Sequence, residues 1–308
     1  MTRSVLVSPD DLGLPTAPLE AAAGAPPTMY VRARLDQQVR VLLEQEAIAR
    51  EGSDPEGVHQ MRVAVRRIRA ALKASPGPEV DELQDELRWF GGVLGRIRDL
   101  DVLLGHLRAQ AADLSDDERA AAERLLSGLV DERRRARRRM LDTLRAARYT
   151  ALLSRLAGMV TSDVNGHPVR KKKAEPALLD VVVRPHRKLS KAARALGDHP
   201  ADDELHALRI QGKRLRYAAE LAEPVGGKPV RRLIQATKEF QDVLGDHQDT
   251  VVAEAEVRRL LDEQPEPDVV LVFVAGRLVE REHARRADCA ARWRESFEKV
   301  DQLAGELR

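Results

Sequence analysis

Two short basic segments carry the residues most able to do chemistry in this sequence. The first reads HQMRVAVRRIR from His59, and the second reads HALRIQGKRLR from His206. At about 100° per residue of helix, each segment aligns one histidine and several basic side chains along one face. The first basic row contains His59, Arg62, Arg66, Arg69 and Lys73, and the second contains His206, Arg209, Lys213 and Arg216.

Each basic row predicts a binding site for a chain of phosphate groups. A guanidinium group binds phosphate through two parallel hydrogen bonds, and about ten residues of helix give a stripe about 15 Å long. Such a stripe suits a linear polyanion better than a compact metabolite. Like charges one turn apart repel each other by roughly a few tenths of a kcal/mol per pair, so some anion must offset the row.

Carboxylates of the protein itself are the alternative to a bound polyanion. Aspartates on packed neighbouring helices could pair with the rows as ordinary interhelical ion pairs. The candidates are Asp99, Asp101, Asp246 and Asp249. The formal net charge of +2 does not decide between the two readings, so the distribution of charge within the fold must do so.

Helices must position both rows. Charged residues make up 33% of the chain and aromatic residues 3%, which is typical of long helices, and we expect an all-α fold. The rows border apolar stripes at helical spacing, namely Val58, Met61, Val65, Ile68 and Leu72, and Leu205, Leu208, Leu215 and Ala219. Apolar periodicity predicts helices at about 30–50, 55–74, 79–110, 115–148, 151–162, 177–196, 200–222, 228–261 and from 268 onward.

The sequence also contains an internal duplication. The segments from His59 and His206 align at an offset of 206 − 59 = 147, and FGGVLGRIRD from Phe90 aligns with FQDVLGDHQD from Phe240 at an offset of 240 − 90 = 150. Two colinear matches at nearly equal offsets predict two related bundles of about four helices each. We expect a Pro/Ala-rich tail or linker at 1–28, a bundle at 29–163, a basic inter-repeat linker at 164–176 and a second bundle at 177–308.

The paired motifs resemble the CHAD family, the conserved histidine α-helical domain. HxxRVxxRRxR and LHxLRIxxKRLRY, each followed by a Leu-Gly helix segment that ends in Asp, carry the resemblance over about residues 30–300. It implies two pseudo-symmetric four-helix bundles, a basic groove or pore between them, and binding of inorganic polyphosphate. The ligand-facing residues that it implies are His59, Arg62, Arg66, Arg69, His206, Arg209, Lys213 and Arg216, with Tyr217 completing the second motif.

Other basic residues are weaker candidates. Arg67 and Arg214 project from other faces of their helices, where a salt bridge or a neighbouring surface would explain them. Glu220 stands where the first repeat has Lys73, so the far end of the second row departs from symmetry. The second-tier ligand candidates are Arg67, Arg214, Arg184, Arg187 and Lys188.

Two basic runs lie outside the motifs. The run RRRARRR at 133–139 spreads around its helix and predicts a solvated face. The stretch at 170–173 predicts a loop that is solvated or closes over a polyanion.

The sequence offers no catalytic constellation. It has no glycine-rich phosphate loop, nucleophile elbow or zinc signature, and the rows contain no acid that could cradle Mg²⁺. We therefore expect a non-enzymatic module without catalytic residues, metal or cofactor, whose affinity for polyphosphate rises as the pH falls through about 6.5. The alternatives are a protein that binds the nucleic-acid backbone, for which only Tyr217 could stack on bases, and an enzyme that processes polyphosphate or triphosphate.

Cysteine usage and hydropathy predict the compartment. Cys289 is the single cysteine, so no internal disulfide can form, which fits a reducing compartment. Residues 1–28 lack the basic start and apolar stretch of a signal peptide. The strongest apolar run, VVLVFVAGRLV from Val269, is too short to cross a membrane and contains Arg277. We expect a soluble cytoplasmic protein without a membrane partner, which would meet its ligand at polyphosphate granules.

Overall fold

Every regular element in the described part of the chain is helical. The structure is a computed structural model that describes residues 6–22, 25–73, 78–162 and 174–307. Its elements are a 3₁₀ turn at Asp10–Leu12 and the helices α1 Pro27–Glu51, α2 Glu56–Leu72, α3 Pro78–Ala111, α4 Asp116–Arg145, α5 Ala147–Thr161, α6 Ala174–Ala195, α7 Asp202–Asp262 and α8 Val269–Gly305. The expected all-α fold is confirmed. None of the described helices combines the length and the hydropathy that crossing a membrane requires.

Glycines end or break the helices near the predicted positions. Gly52 ends α1 with a φ of 76°, which favours a residue without Cβ. The Arg137 guanidinium donates hydrogen bonds to the carbonyls of Arg50 and Glu51, at 2.8 Å each, and so satisfies the open end of that helix. In α7, Gly227 has a φ of 53° and a ψ of −137°, so α7 consists of two helices that meet at a kink. The predicted break between residues 222 and 228 lies there.

The chain forms two compact units, each assembled from separate segments. Unit 1 contains the described residues of Met1–Arg98, Arg135–Val182 and Tyr217–Gly227, and unit 2 contains those of Asp99–Arg134, Val183–Arg216 and Lys228–Arg308. The compact units and the sequence repeats therefore divide the chain differently. The bundles at 29–163 and 177–308 stay a prediction, and residues 164–173 of the linker between them lie outside the described residues.

The N-terminal segment of unit 1 packs along α1. Leu14 is only 5% exposed, and the backbone N–H of Leu19 donates to Asp36 Oδ2 at 2.7 Å. Arg40 donates to the Pro15 carbonyl at 2.6 Å and to the buried Asp36 carboxylate at 3.1 Å. Hydrogen bonds at Pro15 and Leu19 thus fix the described part of the predicted tail or linker to α1.

The remaining core of unit 1 is formed mainly by aliphatic side chains and contains a buried polar pair. Tyr149 donates to Glu46 Oε2 at 3.0 Å, and Arg50 pairs with the same carboxylate at 2.6 Å. Burial raises the pKa of Tyr149 well above its usual value, and the neighbouring Glu46 carboxylate adds to that rise. The phenol therefore serves as a hydrogen-bond donor that keeps the buried carboxylate satisfied.

Unit 2 combines an aromatic core with interhelical ion pairs. Phe240 on α7 packs near Phe297 on α8, with their ring centroids 6.2 Å apart. Glu282 on α8 is fully buried and lies 2.7 Å from His106 Nε2 on α3. Arg133, from the run at 133–139, pairs with Asp101. These contacts join α3, α4, α7 and α8 within the unit.

Candidate functional site

The first basic row lies on α2 beside a buried apolar stripe. The five stripe residues, Val58, Met61, Val65, Ile68 and Leu72, are at most 3% exposed. The row is half-buried from His59 to Arg69, whereas Lys73 follows the last residue of α2 and is exposed. Packing therefore restricts the row side chains before any ligand binds, which lowers the entropy cost of ordering them.

The first arginine of this row lies over a glycine of α3. Arg62 Nη1 donates to the Gly95 carbonyl at 3.3 Å, and a Cβ on Gly95 would stand 3.6 Å from Arg62 Cζ. A larger side chain at that position would occupy the space of the guanidinium group. Gly95 therefore provides the room in which Arg62 is held.

The second basic row repeats this arrangement in unit 2. His206, Arg209, Lys213 and Arg216 are half-buried on α7, and the stripe residues Leu205, Leu208, Leu215 and Ala219 are at most 1% exposed. A Cβ on Gly245 would stand 3.7 Å from both Nε and Nη2 of Arg209. Arg209 is the repeat equivalent of Arg62, and Gly245 that of Gly95. The two duplicated motifs thus make the same contact, an arginine over a glycine, once in each unit.

A second pair of equivalent positions exchanges large and small residues. In the first repeat Val65 faces Gly91, where an added Cβ would lie 3.3 Å from a valine methyl. In the second repeat the equivalents are Gly212 and Gln241, and the Gln241 side chain donates to the Gly212 carbonyl at 3.1 Å. One small residue per pair lets the helices approach closely in both repeats. This complementary exchange supports the duplication inferred from the motifs.

The two equivalent histidines have different neighbours. Burial lowers the pKa of His59, and the charges of Arg98, Arg66 and Arg62 lower it further against the opposing effect of Glu56. His206 Nδ1 forms a hydrogen bond with Gln248 Oε1, and Gln248 is the repeat equivalent of Arg98. Within the described residues, neither histidine joins two other His, Cys, Asp or Glu side chains in a group that could hold a metal ion.

Carboxylate charges act on residues of both rows, as that of Asp85 does on Arg69 in the first. Burial raises the pKa of Asp249, whose charge interacts with Arg209 and Lys213. The pKa of Asp242 is raised in the same way, and its charge interacts with Arg216. Asp101, another predicted partner of the rows, pairs with Arg133 instead. Ion pairing within the protein therefore contributes to the surroundings of the second row.

The segments equivalent to each other beside the two rows differ in net charge. The segment at 90–99 contains Arg96, Arg98 and Asp99, a net charge of 2 − 1 = +1. The equivalent segment at 240–249 contains Asp242, Asp246 and Asp249, a net charge of −3 with His247 taken as neutral. The first row thus has the more positive neighbouring segment, by four charges.

Arg67 serves a structural role that its helix face predicted. Its Nε donates to Glu220 Oε2 at 2.9 Å, and Glu220 is only 7% exposed. The Glu220 carbonyl also accepts a hydrogen bond from Arg34 at 2.7 Å. The acidic residue that replaces Lys73 in the second repeat is therefore a buried partner of Arg67, which explains the loss of symmetry at this position. Arg67 is consequently engaged within the protein.

The other predicted residues occupy different environments. Arg214 is exposed and donates to Gln211 at 3.3 Å, and Tyr217 is half-buried. Arg184, Arg187 and Lys188 are exposed on α6, and Arg187 lines a cavity between α6 and α8. The basic stretch at 170–173 lies outside the described residues.

The structure also identifies site residues that the sequence analysis did not single out. Gly95 and Gly245 are part of the quoted motifs, but their contact with the row arginines requires the packing of two helices. Gln84 accepts from Arg69 Nε at 3.2 Å and donates to the Arg69 carbonyl at 2.8 Å. Shared letters could have indicated the glycines, whereas no sequence signal indicates Gln84.

Comparison with known families places most of this chain in one of them. The family model described as CHAD domain matches residues 33–258, which include both basic rows. Two uncharacterized proteins of Mycobacterium tuberculosis, from strains CDC 1551 / Oshkosh and ATCC 25618 / H37Rv, are each 34% identical over 250 residues. The match covers 77% of this chain and 47% of each relative, so the chain spans about half the length of these relatives.

Solved structures with the same fold extend over nearly the whole chain. The CHAD domain from the plant Ricinus communis has a TM-score of 0.70 and 28% identity, and the match covers 96% of this chain and 98% of that one. PptA from Streptomyces chartreusis has a TM-score of 0.68 and 20% identity, with 88% and 99% covered. The second likeness concerns the fold alone.

Proposed function

The chain belongs to the CHAD domain family, and from that premise we propose that it is a non-enzymatic module that binds inorganic polyphosphate through its two basic rows. The observation that carries the proposal is the repeated contact of Arg62 with Gly95 and of Arg209 with Gly245. In both repeats a glycine makes room for the guanidinium group of the first row arginine, which then needs little reordering to bind phosphate. The proposed setting is the cytoplasm, at polyphosphate granules.

The chemistry of the rows matches a linear chain of phosphate groups. The row residues within helices recur every three or four positions and are half-buried, so cations follow one another at roughly 5 Å along each helix. Arginine offers paired donors to the oxygens of successive phosphates. The Arg209 Nε, a buried donor, has no hydrogen-bond partner within the described residues. We propose His59, Arg62, Arg66, Arg69 and Lys73, and His206, Arg209, Lys213, Arg216 and Tyr217, as the ligand-binding residues.

Charge reversal in both rows tests this proposal. Titration of defined-length polyphosphate into Arg62→Glu/Arg209→Glu should give at least about hundredfold weaker binding than wild type, since each hydrogen bond to a charged group contributes about 1.5–3 kcal/mol. Binding by the wild type should weaken as salt rises, because the interaction is electrostatic. Isothermal titration calorimetry at two salt concentrations measures both effects.

A matched double variant controls for the change in net charge. Arg138 and Arg231 are exposed and lie outside both rows, so Arg138→Glu/Arg231→Glu alters total charge equally. It should change affinity by only a few fold through long-range electrostatics. Equal losses of affinity in the two double variants would contradict the proposal.

Of the single variants, Arg62→Glu should weaken polyphosphate binding more than Arg209→Glu, because the segment beside the first row is the more positive by four charges.

A further inference from the structure

A polar cavity in unit 2 lies between α6 and the end of α8. Its volume is about 440 Å³, within the range of roughly 300–1,000 Å³ typical of small-molecule sites. It is lined by His186, Arg187, Ser190, Lys191, Arg194, Asp301 and Gly305. None of the basic-row residues contributes to it. Apart from Gly305, every lining side chain is polar or charged, so the cavity suits a compact charged ligand.

One wall of this cavity is already fixed by hydrogen bonds. The His186 side chain is only 6% exposed, and its Nε2 lies 2.8 Å from Asp301 Oδ1. Arg194 donates to the other oxygen of that carboxylate, also at 2.8 Å. These hydrogen bonds, together with one from Ser190, keep the pKa of Asp301 below its usual value although burial alone would raise it. The single carboxylate of the cavity is therefore satisfied by the protein.

The two other cations of the cavity are not committed in this way. Arg187 and Lys191 are exposed, lie one turn apart on α6, and form no hydrogen bond or ion pair with any described residue. The lining carries three basic side chains and one carboxylate, so its net charge is 3 − 1 = +2 with His186 neutral. Two like charges one turn apart repel each other, and a bound anion would remove that repulsion.

We propose that this cavity is a second anion site, which binds a compact phosphate group through Arg187 and Lys191 against the fixed His186–Asp301–Arg194 wall. The charge of +2 matches a phosphate monoester or the end of a phosphate chain, each carrying up to about two negative charges. The site differs from the basic rows because its ligand sits in a partly open cavity between two helices instead of lying along one helix.

Pyrophosphate titration into the full chain tests the second site. Arg187→Glu/Lys191→Glu should weaken pyrophosphate binding at least about tenfold, the loss of roughly one charge-assisted contact. Lys238→Glu/Arg285→Glu is the control matched in charge, since both residues are exposed in unit 2, are not candidate ligand residues and do not line the cavity. This control should change the affinity less than about threefold, a long-range effect. Equal losses in both variants, or no saturable pyrophosphate binding by wild type at millimolar concentration, would overturn the proposal.

Two further arms separate this inference from the proposed function and identify the source of the phosphate. Pyrophosphate binding should persist in Arg62→Glu/Arg209→Glu, whose rows are disabled; loss of binding there would mean that pyrophosphate binds to the rows, and would overturn the second site.

At a fixed total phosphate concentration, a chain-end ligand would make the loss of affinity in Arg187→Glu/Lys191→Glu larger for short polyphosphates than for long ones. A free phosphate monoester such as glycerol phosphate, if bound and lost in the same variant, would indicate a separate small molecule. Either source supports the site.

Discussion

His59 and His206 occupy equivalent positions in the two repeats, yet different neighbours surround them. Sequence spacing predicted that each histidine begins a basic row, and the half-burial of both is in keeping with that position. The lowering of the His59 pKa was not predictable from the local sequence, because Arg98, which contributes to it, is 39 residues further along the chain (98 − 59). Burial and three arginines lower that pKa, so the simple expectation of a transition at 6.5 must move toward lower pH for the free protein.

The pH dependence of polyphosphate affinity tests the role of His59. The pKa of His59 in the free protein lies below 6.5, and bound phosphate favours its protonated form, so the affinity should increase as the pH falls through the bound pKa and level off below the free one. His59→Gln should remove most of this pH dependence. Protonation of Asp242 or Asp249 would remain in that variant, so the comparison distinguishes their effect from that of His59. Fluorescence titrations from pH 8 to 5.5 measure the profile.

The lowered pKa of His59 also reduces the stability of the folded protein at low pH, so the affinity measurement needs a control for folding. A histidine whose folded pKa lies below its unfolded value of about 6.5 lowers the free energy of unfolding as the pH falls below 6.5. Circular dichroism must therefore show a folded protein at every pH used. A wild-type affinity that is flat between pH 5.5 and 8 would contradict the coupling of phosphate binding to protonation of His59.

At the scale of elements, the sequence predicted helices and their breaks better than their contacts. Proline, glycine and apolar periodicity placed the ends of α1 and α2 and the kink at Gly227, because these signals act within a few residues. The contacts of α2 with α3 depend on which surfaces meet, as the exchange of Val65 and Gly91 for Gly212 and Gln241 shows. Interhelical packing could not be read from one helix at a time.

Substitution of Gly95 tests how the helix contact holds Arg62. Gly95→Ala should be tolerated, because the added Cβ stands at 3.6 Å from Arg62 Cζ, and should raise the free energy of unfolding by about 0.5–1 kcal/mol through helix propensity. Gly95→Leu should displace the guanidinium group and weaken polyphosphate binding several fold. Gly92→Leu, on the same helix with open space around it, is the control and should bind like wild type. Thermal unfolding and titration of the three variants measure both effects, and equal affinities for the two leucine variants would refute this role of Gly95.

At the scale of the whole molecule, the duplication was visible in the sequence but the compact units were not. The two motifs and their offsets of 147 and 150 residues identify related halves. The units instead combine segments far apart in the chain, such as Tyr217–Gly227 with Met1–Arg98, because helices α3, α4, α6 and α7 each contribute to both. The packing of residues 6–22 on α1 was likewise not predicted, since its proline content is typical of a linker.

The distribution of charge matters more for this protein than its total. A net charge of +2 on 308 residues gives no sign of a polyanion ligand, while the segments beside the two rows differ by four charges. Nucleic acid offers the same phosphate chemistry as polyphosphate, with bases in addition, and Tyr217 is the one aromatic residue in the two basic motifs. The two ligands can therefore be separated by competition at equal phosphate concentration.

The most direct test of polyphosphate binding is that competition with the wild-type chain. A labelled polyphosphate of defined length is bound first, and unlabelled polyphosphate, single-stranded DNA or RNA is then added at equal concentrations of phosphate while fluorescence anisotropy is recorded. We predict that unlabelled polyphosphate displaces the label and that DNA and RNA do so at least about tenfold less effectively, a difference of about 1.4 kcal/mol. Displacement by DNA or RNA as effective as that by polyphosphate would contradict the account and identify a general nucleic-acid-backbone binder.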